Sequence, residues 1–206
     1  MKIISPIKTW TFVSAFTFIP LQTVNSFQVK KQLNDEFVYT TPVPSVSAKG
    51  TTDFELLNTA PSSDVYINSE KKRATIVVDL NKNILYKYNT QGEATEAFLV
   101  ASGKKSTPTD TGIRIVSHVE TYPYRTAPRA TKRRRNPSAY GPKIIILNKL
   151  NTVNGEQSPC GEFIHGNNDA SSIGKYASQG CIRMDNEIIK ELSTQVQRGD
   201  IVKIIR

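Results

Sequence analysis

Short apolar segments separated by turn residues dominate the chain from residue 74 onward. Residues 74–80 are β-branched and alternate well enough for a strand, and the turn at 81–83 leads into a returning strand at 84–88, which indicates a hairpin. Many short strands with frequent turns predict a mainly β domain, folded as a sandwich or a barrel-like sheet. Further strands are predicted at residues 97–101, 112–119, 143–147, 163–165 and 201–205.

Only one segment has a convincing helical pattern. It begins near Asn186 and ends at residues 198–200, an Arg-Gly-Asp sequence. Its apolar positions recur at near-helical spacing and predict one buried face: Ile188, Ile189, Leu192 and Val196.

The N-terminal residues have the order of charges and apolar residues that is typical of a secretory signal peptide. Lys2 and Lys8 precede a largely apolar stretch at 10–21, and residues 24–26 offer a cleavage site. The apolar stretch is too short to span a membrane, so we expect a signal peptide at 1–26 and no stable membrane span after cleavage. The alternatives, an uncleaved anchor and an amphipathic helix, are disfavoured by Pro20.

Residues 27–73 are polar and rich in Ser, Thr, Pro and Asn, without a sustained helical or strand period. This composition predicts a linker or pro-segment in front of a domain at 74–206. Short apolar pieces such as residues 54–57 remain candidates for docking on the domain.

The charge of the chain narrows the classes of partner. The 206 residues carry a formal net charge of +9, which falls to +7 (9 − 2) if the two N-terminal lysines are removed. A basic protein suits nucleic acid, a membrane surface or an acidic cell-wall polymer. Predicted export to the periplasm or cell wall argues against nucleic acid and favours the wall. No phosphate-binding, dinucleotide or zinc motif is present, so no cofactor and no metal are expected.

The candidate chemistry lies in residues 164–184, where His165 and Cys181 stand sixteen positions apart. His165 ends an apolar run and is expected to leave a strand pointing into a site. Cys181 follows Gly180 and precedes the predicted helix, whose dipole and free amides would favour the thiolate. A cysteine beside a histidine is the minimal activated nucleophile pair. The backbone amides of Gly180 and Cys181 are candidate oxyanion donors.

The complete motif resembles the L,D-transpeptidase catalytic domain family of YkuD type, in which His-Gly is followed after about fifteen residues by Ser-His-Gly-Cys-Ile-Arg-Met. The resemblance extends over residues 74–206, and Gln179 stands where the family usually has a second histidine. The matching residues are His165, Gly166, Gly174, Ser178, Gly180, Cys181, Ile182, Arg183 and Met184.

This resemblance implies a β-sandwich fold and a cell-wall enzyme acting on peptidoglycan stem peptides. Cys181 would form a thioester with a stem tetrapeptide and release D-alanine, with His165 as the general acid and base. The acyl group would pass to an amine, or to water in an L,D-carboxypeptidase. A wall-binding protein inactivated at Gln179 is the other class to weigh. A general cysteine protease lacks its local signatures here.

Supporting roles are expected for several neighbours of the pair. The Gly166 carbonyl is placed to accept from the second nitrogen of His165 and fix its tautomer. Arg183 either binds a substrate carboxylate or braces the loop through backbone carbonyls, and bracing is favoured. Ser178 either orients the site or shapes the turn. The Gln179 amide can stand in for histidine if that residue only donates a hydrogen bond.

A cationic stretch at residues 121–138 precedes the strand at 143–147, and the resemblance places it in the cap over the cleft. It is either a solvated loop or a segment that holds a carboxylate or phosphate of the wall polymer, with Arg125, Arg129 and Tyr140 as candidate substrate contacts. It contains no acidic residue and these cations: Arg125, Arg129, Lys132, Arg133, Arg134 and Arg135.

Two residues of the reactive types fall outside the motif. His118 is predicted to be structural or exposed, on the same side of its strand as Arg114 and Val116. Cys160 is expected in a loop as a free thiol, because a disulfide with Cys181 would silence the nucleophile. A reversible redox lock is the alternative. The protein is expected to be a monomer.

Overall fold

The structure, a computed structural model, describes residues 54–206. The predicted signal peptide at 1–26 and the first part of the predicted linker lie outside these residues. The helices are α1 (Phe54–Asn58), α2 (Lys132–Arg135) and α3 (Asn186–Gln195). The strands are β1 (Asp64–Ile67), β2 (Glu70–Arg73), β3 (Ile76–Asp79), β4 (Ile84–Tyr88), β5 (Ala94–Leu99), β6 (Ser102–Gly103), β7 (Gly112–Thr121), β8 (Lys143–Leu150), β9 (Gln157–His165), β10 (Tyr176–Ser178), β11 (Ile182–Arg183) and β12 (Ile201–Ile205).

A curled eight-stranded sheet forms the body of the domain, in the order β11-β9-β8-β7-β12-β3-β4-β5. Most neighbours are antiparallel, but β12 runs parallel to β3 and β11 runs parallel to β9. Every predicted strand is present, and the mainly β architecture is confirmed. No helix within residues 54–206 is long and apolar enough to cross a membrane.

The sheet has apolar side chains on both faces, which is why its central strands are almost continuously hydrophobic. In β3, Ile76 and Val78 point into the main core while Val77 points to a second cluster on the opposite face. Successive side chains of a strand alternate between faces, so one four-residue strand serves both clusters. The main core also receives the predicted face of α3, Ile164 of β9 and Ile182 of β11.

Helix α3 starts where the pattern predicts because Asp185 caps it. The Asp185 carboxylate accepts from the amides of Glu187 at 2.8 Å and Ile188 at 3.3 Å. The helix ends at Gln195, before the predicted stop, because Val196 adopts an extended conformation. All four residues of the predicted apolar face are buried.

Residues 54–73 are folded against the sheet. Helix α1 and the β1–β2 hairpin place Leu56 and Val65 in the cluster with Val77, and the Ala74 amide donates to the Ser63 carbonyl at 2.8 Å. The sequence of this hairpin has no alternation of apolar and polar residues in β2, because every residue of β2 is exposed. The apolar piece at residues 54–57 of the predicted linker therefore docks on the domain through Leu56.

A β-bulge in β7 changes which side chains face the core. The register shifts between Val116 and His118, so Val119 packs on the core and His118 is exposed. The prediction that His118 shares a side with Arg114 and Val116 is wrong for this reason. Arg114 is buried and pairs with Glu162.

The loop between β7 and β8, residues 122–142, is fastened to the sheet by arginines of the cationic stretch. Arg133 makes a two-pronged ion pair with the buried carboxylate of Glu120, at 2.5 and 2.9 Å. Arg134 donates to the backbone carbonyl of Arg125 as well as to that of Tyr124 at 3.1 Å. The buried Tyr124 hydroxyl donates to the Gly141 carbonyl. These contacts make the loop part of the folded domain.

Replacing Arg133 by Gln should destabilise the protein, because it leaves the Glu120 carboxylate buried without its main partner. Breaking a buried pair from one side typically costs about 3–5 kcal/mol. The neighbouring Lys132 is exposed, so Lys132→Gln should change the free energy of unfolding by no more than about 0.5 kcal/mol. Urea unfolding of both variants provides the measurement. Equal stabilities would show that the Glu120–Arg133 pair does not hold the loop.

Candidate active site

The candidate site forms at one edge of the sheet, where β9 and β11, which are separated along the chain, lie side by side. Strand β9 ends at His165, and the two-residue strand β11 lies parallel beside it, with Ile182 opposite Ile164 and Arg183 opposite His165. Cys181 directly precedes β11. Both Cys181 and His165 line one open cavity of about 470 Å³.

His165 is held in one tautomer by the backbone that follows it. Its Nδ1 contacts the Gly166 carbonyl oxygen, and a carbonyl can only accept, so Nδ1 carries the proton and Nε2 keeps its lone pair. Burial, with a smaller contribution from the charge of Arg183, lowers the pKa of His165 to about 4, and the Gly166 contact partly opposes this shift. At neutral pH the imidazole is therefore an uncharged base.

A row of aromatic rings supports the imidazole from the β7–β8 loop. The Tyr140 ring centroid lies 4.9 Å from that of His165 and 6.4 Å from that of Phe163. The Arg133 guanidinium lies 5.3 Å from the Phe163 ring centre. The ion pair between Arg133 and Glu120 thus connects through Phe163 and Tyr140 to His165. Sequence inspection identified Tyr140 as a cleft residue but gave no sign of Glu120.

Cys181 is a half-buried thiol at rest. Burial raises the pKa of Cys181, and the Glu162 carboxylate adds to the increase, while the Phe163 amide and Arg183 act in the opposite direction. Its Sγ lies 3.9 Å from the Gly161 carbonyl oxygen. Along the chain, β11 and the Asp185 cap stand between Cys181 and the first turn of α3, where the Asp185 carboxylate already accepts from the amides of Glu187 and Ile188.

The turn before the nucleophile is held by side chains and needs a glycine. Gly180 has a φ of +108°, in the region that only glycine enters freely. The Gly180 amide donates to Ser178 Oγ at 3.1 Å, and Ser178 Oγ donates to the Cys181 carbonyl. The Gly180 amide, one of the two predicted oxyanion donors, therefore already has an acceptor in this structure. The Cys181 amide makes no hydrogen bond to another residue of 54–206.

Two threonines brace this turn from a distant segment. Thr109 Oγ1 donates to the Gly180 carbonyl at 2.9 Å and accepts from the Gly103 amide at 2.8 Å. Thr107 Oγ1 donates to the Ser178 carbonyl at 3.2 Å.

Two asparagines lock the histidine end of the site to α3. The Asn167 amide donates to Asn186 Oδ1 at 2.9 Å, and Asn186 Nδ2 donates back to the Asn167 carbonyl at 3.0 Å. The backbones of Gly141 and Gly166 pass so closely that a Cβ on Gly141 would lie 2.7 Å from the Gly166 Cα. This close packing fixes the carbonyl that orients His165. Neither asparagine was predicted.

Gln179 and Arg183 present free polar groups to the cavity. The exposed Gln179 amide makes no side-chain hydrogen bond within residues 54–206. The Arg183 guanidinium likewise has no hydrogen bond or ion pair with any described residue, so the expectation that it braces the loop is wrong. The backbone of β11 makes that connection instead, because the Arg183 amide donates to the Ala101 carbonyl at 2.9 Å.

The other predicted site residues divide between the cavity and the surface. Arg125 and Arg129 are exposed and do not line the cavity, where Lys132 and Arg135 take their place. Cys160 is a free thiol within β9, not in a loop, and its Sγ donates to the Leu147 carbonyl at 3.2 Å. Across residues 54–206 no three metal-ligating side chains converge.

Comparison with known proteins gives the same picture at the level of the fold and the family. The YkuD protein of Bacillus licheniformis is 54% identical over 41 residues, 20% of this chain and 25% of that protein. The YkuD protein of Bacillus subtilis is 39% identical over 67 residues, 26% of this chain and 41% of that protein. The chain therefore aligns with less than half the length of these relatives.

Among solved structures, Bd1075 of Bdellovibrio bacteriovorus superimposes with a TM-score of 0.50 at 21% identity, over 71% of this chain and 53% of that chain. This similarity concerns the fold. The family profile described as the YkuD L,D-transpeptidase catalytic domain matches residues 73–204. Since that match covers more than half of the sequence, the chain belongs to the YkuD-type L,D-transpeptidase catalytic domain family.

Proposed function

We propose that this protein is a cell-wall L,D-transpeptidase that carries its acyl group as a thioester on Cys181. The observation that carries the proposal is the geometry of His165, which lines the same cavity as Cys181 and whose Nδ1 is occupied by the Gly166 carbonyl, so that Nε2 is left unprotonated. A neutral base and a nucleophilic thiol in one cavity are the minimum for acyl transfer. Membership of the family supplies the substrate class, a peptidoglycan stem tetrapeptide.

In the first half-reaction, His165 Nε2 takes the Cys181 proton while Sγ attacks the carbonyl carbon before the terminal D-alanine. The C–N bond then breaks, and the proton held on Nε2 passes to the departing amine. D-Alanine leaves and the thioester remains. Proton transfer of this kind contributes on the order of 10² to 10⁴ in rate. Arg183 supports the thiolate, because its charge acts to lower the pKa of Cys181.

In the second half-reaction, an amine attacks the thioester carbon and gives a proton to His165 Nε2. The C–S bond breaks, and the thiol regains its proton from the imidazolium. The amine of a second stem peptide makes the protein a transpeptidase, whereas water would make it an L,D-carboxypeptidase. The open cavity gives an acceptor access to Cys181.

Two groups remain to stabilise the oxyanion that forms on the attacked carbonyl. The Cys181 amide has no hydrogen-bond acceptor among the described residues, and the Gln179 side-chain amide is exposed in the cavity. Donors directed at developing charge typically contribute 10² to 10³ each in kcat. Ser178 and Gly166 are positioning residues, because both act through the backbone of the loop or the tautomer of His165.

We place the protein outside the cytoplasmic membrane, in the periplasm or cell wall, acting as a monomer on peptidoglycan stem peptides. The signal-peptide pattern at 1–26 and the positive charge support this location. No cofactor enters the proposed chemistry. A wall-binding protein without turnover is the second class, and the Gln179 comparison below decides between them.

Replacing Cys181 by Ser should abolish the covalent intermediate, because a serine hydroxyl is far less ionised than a thiol and His165 is a weak base. Mass spectrometry of the purified protein with a stem tetrapeptide provides the measurement. The wild type should gain the acyl mass with release of D-alanine. Cys160→Ser is the matched control and should retain the adduct, since the Cys160 thiol lies outside the cavity lining. An adduct that survives in Cys181→Ser would remove Cys181 from the mechanism.

The pH dependence should show an acid limb well below that of an ordinary histidine. Protonation of His165 removes the base, and its pKa of about 4 means that the acylation rate falls only as pH drops through about 4. Single-turnover acylation from pH 3.5 to 8, with circular dichroism to confirm folding, tests this. His118→Gln should leave the profile unchanged, because His118 lies outside the cavity lining. An acid limb near pH 6.5 would instead indicate that His165 titrates as an ordinary, solvent-exposed imidazole and would contradict its burial in the site.

Gln179→Glu should slow acylation by about 10² to 10³ in kcat, because the isosteric carboxylate cannot donate to an oxyanion. Gln179→His should stay within a few-fold of the wild type, since histidine restores a donor. The KM for the stem should change little in Gln179→His if the role is confined to the transition state. Rapid acylation by Gln179→His from an inert wild type would mean that the natural protein is a binding protein.

A further inference from the structure

The four cations of α2 divide into two pairs with different surroundings. Arg133 and Arg134 are half-buried and bonded to the protein, the first to Glu120 and the second to backbone carbonyls. Lys132 and Arg135 are exposed, line the active-site cavity and have no acidic partner among residues 54–206. They lie three positions apart, so they share one face of the helical turn.

A third unpaired cation completes the cavity wall. Arg183 extends from β11 beside Cys181, and no Asp or Glu belongs to the lining. Among the nearby carboxylates, Glu162 pairs with Arg114 and Glu120 pairs with Arg133. Asp169 lies outside the lining, and its pKa is lowered by hydrogen bonds from Ser171 and, to a smaller extent, by the charge of Arg183. The cavity lining therefore has three positive charges and no negative charge, next to the apolar surfaces of Ala139 and Tyr140. Low-dielectric walls lined by charges of one sign concentrate ligands of the opposite sign.

We propose that Lys132, Arg135 and Arg183 make this a carboxylate-selective site, whose preferred acyl donor is a stem peptide with free rather than amidated side-chain carboxylates. This inference rests on the proposed function and names its donor. Arginine matches a carboxylate with two parallel hydrogen bonds, and lysine supplies a point charge. A carboxamide of the same shape presents no charge to either.

The expected change in affinity for the free-carboxylate stem depends on how exposed Lys132 and Arg135 are. A solvent-exposed ion pair corresponds to roughly a threefold change in affinity, so the loss of two should change binding by about tenfold at low salt. Screening should reduce this difference as salt rises, because the Debye length falls to about 8 Å at physiological ionic strength. The half-buried Arg183 should contribute at least as much as either.

The same loop offers a control of equal charge. Arg125 and Arg129 are exposed, belong to the same cationic stretch and lie outside the cavity lining. Removing them changes the net charge by the same two units as removing Lys132 and Arg135. If the basic surface attracted the stem peptide non-specifically, removing either pair of cations would weaken binding equally. If the cavity contains a specific carboxylate site, only the removal of Lys132 and Arg135 weakens binding.

The experiment compares two stem tetrapeptides that differ only in whether the non-terminal carboxylates are free or carboxamides. Dissociation constants are measured by calorimetry at low salt on Cys181→Ala protein, which binds without reacting. Three versions of the Cys181→Ala protein are compared: one without further changes, one that also carries Lys132→Gln and Arg135→Gln, and one that also carries Arg125→Gln and Arg129→Gln. The free-carboxylate stem should bind about tenfold more tightly than the amidated stem. The cavity pair of substitutions should remove most of that preference by weakening the free-carboxylate stem alone, and the surface pair should preserve it.

Equal affinity for the two stems, no measurable binding of the free-carboxylate stem, or equal effects of the two double substitutions would overturn the inference. Acylation of the Cys181 protein by both stems at equal efficiency would overturn it while leaving the proposed function intact. A charge preference in binding with no acylation by either stem would support the carboxylate site and remove the transpeptidase proposal instead. The two claims therefore fail separately.

Discussion

The parallel pairing of β11 with the end of β9 is the constraint on which the active site depends. It is only two residues long, yet it places Arg183 beside His165 and brings Cys181 to the same edge of the sheet. Such a short strand cannot persist by its own hydrogen bonds. It is secured on its other side by hydrogen bonds with Ala101, and its Ile182 side chain and the following Met184 are buried in the main core. Hydrophobic burial thus positions the proposed nucleophile, so the proposed chemistry depends directly on the core.

That burial also determines the charge state of the resting site. Moving an imidazole and a thiol out of water disfavours their charged forms, which lowers the pKa of His165 and raises that of Cys181. The result is a neutral pair rather than a preformed ion pair. In the proposed mechanism, the proton of Cys181 therefore has to leave as Sγ attacks the substrate carbonyl. The charge of Arg183 supports the thiolate that forms, because it acts to lower the pKa of Cys181. The Gly166 carbonyl ensures that the correct nitrogen is available at that moment.

The sequence predicted the parts of the fold that have a repeating pattern and missed those that do not. Strands such as β3 and the apolar face of α3 are visible because burial imposes a period of two or of about 3.6 residues. The exposed β2 and the two-residue β11 have no such period. The hydrogen bond from the Thr109 side chain to the Gly180 carbonyl joins residues 71 positions apart. Every residue has a backbone carbonyl, so the sequence does not indicate which one Thr109 contacts. His165 and Cys181 were recognisable because chemistry restricts the residue types that can perform it.

The cationic stretch shows most clearly why composition alone does not assign a role. As a sequence, four consecutive cations at 132–135 fit a solvated loop and an anion site equally well. The distinction arises from a partner that the stretch itself does not contain: the buried Glu120 engages Arg133 and thereby fixes the rotation of the helical turn. Once Arg133 points inward, Lys132 and Arg135 necessarily share the face toward the cavity. One buried carboxylate therefore both supports the aromatic row behind His165 and decides which positive charges a substrate meets.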